Sequence, residues 1–187
     1  MSKLQIVGLI VLLVAVAALA AAVSARGKEP IPPVASVDLL RFMGDWYVIA
    51  NIPTFVERNS YDAIETYEQR PDGKIQTIFR QRKGSYEAPI DTMRPVATVR
   101  EGSNNAIWGM QFVWPIKAEY VIVYLDENYT QTVIGRSARD YVWVMARTPQ
   151  IPEADYAAHV ERLRNLGYDV SKLRKVPQSA AEATATP

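Results

Sequence analysis

Side chains able to do chemistry are scarce in this chain. Of its 187 residues one is a histidine, His159, and none is a cysteine. That leaves no set of ligands for a transition metal and no Cys- or His-based nucleophilic triad. His159 falls in a helical stretch and reads as an ordinary packed side chain. Carboxylates are plentiful, yet no spacing singles out a catalytic pair, so no catalytic residue, metal or cofactor is expected. Glu65 stands apart by position: it alternates with Tyr67 on one face of a strand, toward that strand's start. It is a candidate for holding a polar head group, or else a solvated charge at a rim. The strongest pattern is one of large side chains at alternate positions. Trp108, Met110 and Phe112 share one strand face, and Tyr141, Trp143 and Met145 share another. A solid core favours Val, Ile and Leu; large amphipathic rings suit the wall of a cavity. The same alternation puts Tyr67, Thr77, Phe79, Tyr120 and Ile122 on that face. The chemistry on offer is the binding of an apolar molecule.

Such positions need strands to present them. Eight runs rich in Val, Ile, Tyr, Trp, Phe and Thr read as strands: 46–52, 61–69, 74–82, 94–101, 106–113, 119–126, 130–137 and 141–147. The segment "RPDGK" (70–74) has hairpin-turn chemistry, and "EGSNN" (101–105) and "LDENY" (125–129) are similar. Short turns between consecutive strands make an antiparallel meander, and closing eight such strands removes the exposed edges while leaving room for one small ligand. A single helix is expected over 152–167, with Pro152 at its start, acids in its first turn and Gly167 as its stop. Tyr156, Val160 and Leu163 form its apolar stripe. The expected fold is therefore all-β: an eight-stranded antiparallel up-and-down barrel with one C-terminal helix packed on the wall.

The ends bound the domain. Lys3 precedes a 20-residue apolar run (4–23) followed by small residues, so 1–25 reads as a secretory signal or a retained membrane anchor. Residues 26–35 are polar and Pro-rich, a linker; 36–176 form the domain; 177–187 read as a disordered tail. Lys and Arg number 21 against 20 Asp and Glu, and without a basic block this balance argues against a nucleic-acid partner.

"GDWY" (44–47), at the first strand, resembles the G-x-W signature of lipocalins. "LDENY" (125–129) looks like the family's second motif, with Asp126 and Tyr129, and "RDYVWVMARTP" (139–149) like its third, with Arg147. The three occur in order across about residues 36–176. The likeness is nearest to the bacterial outer-membrane lipocalins and apolipoprotein D. It implies that Trp46 plugs the closed end of the barrel with Arg147 stacked on its ring and Gly44 allowing close approach. These are structural roles. It also implies a carrier of a small hydrophobic ligand, a fatty acid or lysophospholipid, working at or near a membrane surface in the cell envelope. The other readings are a lipocalin-fold enzyme acting through Glu65 or the tyrosines, and an envelope interaction protein. Burying about ten to sixteen methylenes at about 0.8 kcal/mol each yields about 8–13 kcal/mol. Set against association costs of about 4–15 kcal/mol, this centres the expected affinity in the micromolar range. The bacterial relatives carry an acylated cysteine that this chain lacks. That points to a periplasmic protein, or to one held by its own N-terminal run.

Overall fold

The computed structural model describes residues 29–179; the expected signal or anchor lies outside them. The segment from Ile31 onward does not behave as a linker. Ile31 and Val37 are buried, the Val34 amide donates to the Ile122 carbonyl, and Asn104 and Asn105 donate to the carbonyls of Ala35 and Val37. A one-turn helix follows, α1 (Leu39–Phe42), which was too short to show a helical period in the sequence. Asp38 caps it by accepting from the amides of Leu40 and Arg41. It ends where Met43 turns extended and Gly44 takes φ +90°.

The strands are β1 (Gly44–Ile52), β2 (Ser60–Gln69), β3 (Ile75–Lys83), β4 (Ile90–Met93), β5 (Val96–Val99), β6 (Ile107–Val113), β7 (Ile116–Leu125), β8 (Gln131–Gly135) and β9 (Val142–Ala146). A 3-10 turn, Phe55–Glu57, joins β1 to β2. Apart from β4, which pairs with β3 alone, the strands pair antiparallel in the order β1-β2-β3-β5-β6-β7-β8-β9, and β1 pairs with β9 from Tyr47 opposite Ala146 to Ile52 opposite Val142, which closes the barrel. The barrel has eight strands because β4 and β5 both lie along β3 as two halves of the fourth. The expected run 94–101 captured only the second half. The break falls at Arg94-Pro95, since proline has no amide to give to the ladder. A two-residue strand, β10 (Arg174–Lys175), adds to β1 outside the expected set.

Buried side chains form two layers. One fills the barrel: Phe42, Trp46, Tyr67, Trp108 and Ile122 are among its members. The other lies outside the wall, where Val121, Val133 and Val144 meet Leu163 and Tyr156 of the C-terminal helix α2 (Glu153–Asn165). Strict alternation along β9 separates the layers: Trp143 and Met145 face in, while Val142, Val144 and Ala146 face the helix. Pro152 sits at the helix N-cap and Gly167, at φ +85°, ends it. His159 rather than Val160 is the buried residue of the middle turn. The start of the expected tail is fixed. Asp62 donates its amide to the Pro177 carbonyl, and Gln178 donates to the carbonyls of Val48 and Ala63.

Candidate functional site

The closed end is built first. Trp46 is fully buried and donates its indole N–H to the Phe42 carbonyl at 2.8 Å. The Arg147 guanidinium stacks over the Trp46 ring, 3.8 Å from its centroid. Its N–H groups reach the carbonyls of Asp45 (2.7 Å), Arg41 (2.8 Å) and Met43 (2.8 Å). One planar fork thus satisfies the carbonyls left open where α1 ends. A Cβ on Gly44 would stand 3.4 Å from Arg147 Nη1, and its positive φ disfavours any other residue. Asp126 accepts from the amides of Gln131 (2.6 Å) and Thr130 (2.7 Å) and from the Thr130 hydroxyl (2.8 Å). Burial pushes its pKa up, but these donors outweigh it and hold the carboxyl below its usual value. The Tyr129 hydroxyl accepts from the Asp38 amide, and Arg41 lies 4.0 Å from the ring centroid. All five motif residues therefore tie the floor together.

Above the floor an aromatic plug fills the lower barrel. Phe42 packs edge-on to Trp108 at 5.5 Å, and Tyr67 does the same. From there a stack rises: Trp108 on Tyr120 at 5.2 Å, then Tyr120 on Trp143 at 6.5 Å. Over the plug opens a cavity of about 100 Å³. Its floor and walls come from Glu65, Phe79, Met110, Tyr120 and Trp143, and its mouth from Phe112, Tyr141, Glu119 and Arg136.

Seven of the expected lining residues are brought together there: Glu65, Phe79, Met110, Phe112, Tyr120, Tyr141 and Trp143. Four are not. Tyr67, Thr77, Trp108 and Ile122 point into the barrel but lie in its packed core. The Trp108 indole donates to the Asn105 carbonyl, and the Thr77 hydroxyl donates to Met110 Sδ at 3.6 Å. The reason is α1. Alternation assigns a face to each residue but not a height, and Phe42 from α1 takes the lower half of the barrel. The cavity is accordingly smaller than the roughly 300–1,000 Å³ of sites that enclose a drug-sized ligand. It takes the end of a chain and not ten to sixteen methylenes.

Sequence reasoning also missed Glu57, Thr54, Met93, Arg136 and Glu119. Two of them, Thr54 and Glu57, had a signal: "TFVE" (54–57) has capping-box spacing. Glu57 Oε2 accepts from the Thr54 amide at 3.0 Å and from its hydroxyl, while Oε1 accepts from Trp143 Nε1 at 2.8 Å. Glu65 is buried, with the Tyr67 side chain on the same face of β2. Burial pushes its pKa up to about 8; the Tyr67 hydroxyl opposes this and the nearby Glu57 adds to it. It is not a solvated rim charge but a largely protonated acid at neutral pH. His159 lies outside the barrel, between Gln131 Oε1 (2.7 Å) and Arg162 (2.8 Å). Burial, then Arg162, pull its pKa down to about 4, so it is neutral and structural.

The arrangement can take an apolar chain end, and the comparisons agree with that architecture. The lipocalin-like domain is matched over residues 37–178. Temperature-induced lipocalin-1 of Arabidopsis thaliana is 32% identical over 160 residues, 81% of this chain and 85% of that protein. Outer membrane lipoprotein Blc of Escherichia coli K12 is 28% identical over 170 residues, 87% of this chain and 94% of that one. Apolipoprotein D from Bos taurus is among the matched relatives as well. Among solved structures, insecticyanin from the tobacco hornworm Manduca sexta superposes with a TM-score of 0.65, covering 83% of this chain and 88% of that one at 14% identity. With its three motifs assembled at the closed end of an eight-stranded barrel, the chain belongs to the lipocalin-like family.

Proposed function

We propose that the protein binds a single-chain lipid, a fatty acid or a lysophospholipid, and exchanges it with a membrane surface of the cell envelope. The family binds small hydrophobic ligands. The observation that carries the finer reading is where the exposed apolar side chains lie. Phe55, Tyr86, Ile90, Phe112, Val113, Trp114 and Ile116 are all exposed, and all stand on the strand ends and loops around the cavity mouth. Trp114 is 82% and Phe112 60% exposed, in the hairpin between β6 and β7. Scattered surface apolar residues mean little, but a ring of them around one opening marks an interaction surface. Aromatic residues settle well at the level of lipid head groups. A chain end enters the cavity, the rest of the chain lies along this ring, and the charged head stays at the mouth beside Arg136.

Export through residues 1–25, by cleavage or as an anchor, belongs to the same reading. The relatives named outer membrane lipoproteins support an envelope location, and the absence of cysteine separates this chain from a cysteine-linked lipid anchor. The test is sedimentation with phospholipid vesicles. A Phe112→Ser, Trp114→Ser variant is expected to lose most vesicle binding and to bind soluble lysophospholipid more weakly as well, because both side chains belong to the ring along which the chain lies. Undiminished vesicle binding by that variant contradicts the membrane role.

A further inference from the structure

Glu57 is 5% exposed, and its side chain is divided between two elements. Oε2 accepts from the amide and hydroxyl of Thr54 at the start of the 3-10 turn, while Oε1 accepts from Trp143 Nε1 on β9 at 2.8 Å. The turn needs only the first of these, and Gln serves at that capping-box position as well as Glu. Donors arriving from two elements need an acceptor at both ends of the group, which a carboxylate has and an amide lacks. The main chain beneath it is pinned as well. The Ser60 hydroxyl donates to the Glu57 carbonyl at 2.9 Å, and the Arg174 guanidinium donates to the carbonyls of Glu57 and Arg58. The second oxygen is thus held in place and spent on the cavity wall.

We propose that Glu57 is a positioning residue of the lipid site, whose carboxylate fixes the Trp143 ring as the wall against which the chain end packs. This rests on the reading of the cavity as a lipid site and names what gives that cavity its shape. Trp143 is only partly buried, and it stacks on Tyr120 with ring centroids 6.5 Å and planes 23° apart. Such a stack restrains how the ring tilts but not which way its edge points. The N–H bond to Glu57 sets that direction. A wall already in place spares the ligand the cost of ordering it, which is worth up to about tenfold in affinity for one side chain.

The same contact ties the cavity to its lip. Phe55, 70% exposed, stands in the turn that Glu57 closes, and Thr54 and Val56 beside it line the cavity together with Trp143. Glu57 therefore keeps the mouth loop and the wall in one arrangement. A residue that only capped the turn would stabilise the loop and have no hold on the indole. The two roles differ in what happens at Trp143.

The experiment combines titration of lysophosphatidylcholine with the indole N–H resonances of the isotope-labelled full-length protein. The peak lost in Trp143→Phe assigns the Trp143 resonance. Glu57→Met is expected to shift that resonance and to weaken lysophosphatidylcholine binding about tenfold. Trp143→Phe has no N–H to hold, so adding Glu57→Met to it is expected to cost no further affinity. An equal loss in both backgrounds would mean that Glu57 acts through the turn alone, and overturns the proposal. An unmoved Trp143 resonance in Glu57→Met overturns it too. Should Glu57→Met not fold, or Trp143→Phe not bind, Glu57→Gln decides, because its single carbonyl serves either Thr54 or Trp143. Affinity kept with the Trp143 resonance in place, or lost together with it, supports the assignment; either one changing without the other overturns it. These outcomes leave wild-type binding intact and overturn the positioning role alone. Failure of the folded wild type to bind lysophosphatidylcholine overturns the lipid-binding reading with it.

Discussion

Arg147 illustrates what single residues do in this molecule. Its guanidinium joins Trp46, the end of α1 and the turn at Tyr129, all at the closed end and away from the cavity. Arg147→Ala is expected to cost about 1–3 kcal/mol, from the lost ring contact and the orphaned carbonyls. Ligand affinity per folded molecule should hold. Chemical denaturation and a lysophospholipid titration on the same variant check this; unchanged stability with lost binding would contradict it. The pair was legible because its residue types are rare and their motif is distinctive. Glu65 was legible as a position but not as a state. Its charge depends on Glu57 and on burial by Phe79, Met110 and Trp143, which come from other elements. Nothing near Glu65 in sequence predicts that company.

Among the elements, the strands announced themselves and the plug did not. Period-two alternation is strong on β6 and β9 because one face meets the barrel interior and the other the helix or solvent. A four-residue helix has no period to detect, and α1 is that short. Yet α1 decides which inward residues line a cavity, because Phe42 occupies the barrel below Tyr120. Phe42→Ala is expected to destabilise the fold by about 3–5 kcal/mol. It should also deepen the cavity, so that longer acyl chains gain affinity relative to shorter ones. Thermal or chemical unfolding and a chain-length series of lysophospholipids measure the two effects. A stability loss with an unchanged chain-length profile would show that the plug does not set the depth. The fourth strand was half legible for a different reason. Pro95 breaks the ladder, and β4 beyond it carries Ile-Asp-Thr-Met, too short and too polar to read as a buried strand.

At the largest scale, the barrel formed by the described residues from Ile31 onward is a cup with a locked floor, a shallow apolar cavity and an apolar lip. The sequence made the barrel legible, because closure is the way eight meandering strands avoid open edges. It did not make the depth legible, because depth is set by packing between distant segments. The central claim is that the inward face of this cup receives a lipid chain. Met110 tests it most directly: it is 3% exposed, it lies on the cavity wall, and it belongs to none of the floor motifs. Met110→Glu places a carboxylate against the chain, at a cost of a few kcal/mol. Titration of a lysophospholipid into wild type and into the variant, each shown folded by circular dichroism, reads the result. Wild type is expected to bind, and Met110→Glu to bind about one hundredfold more weakly. Equal binding by the two would mean that the chain lies elsewhere, and would contradict the assignment of this cavity as the ligand site.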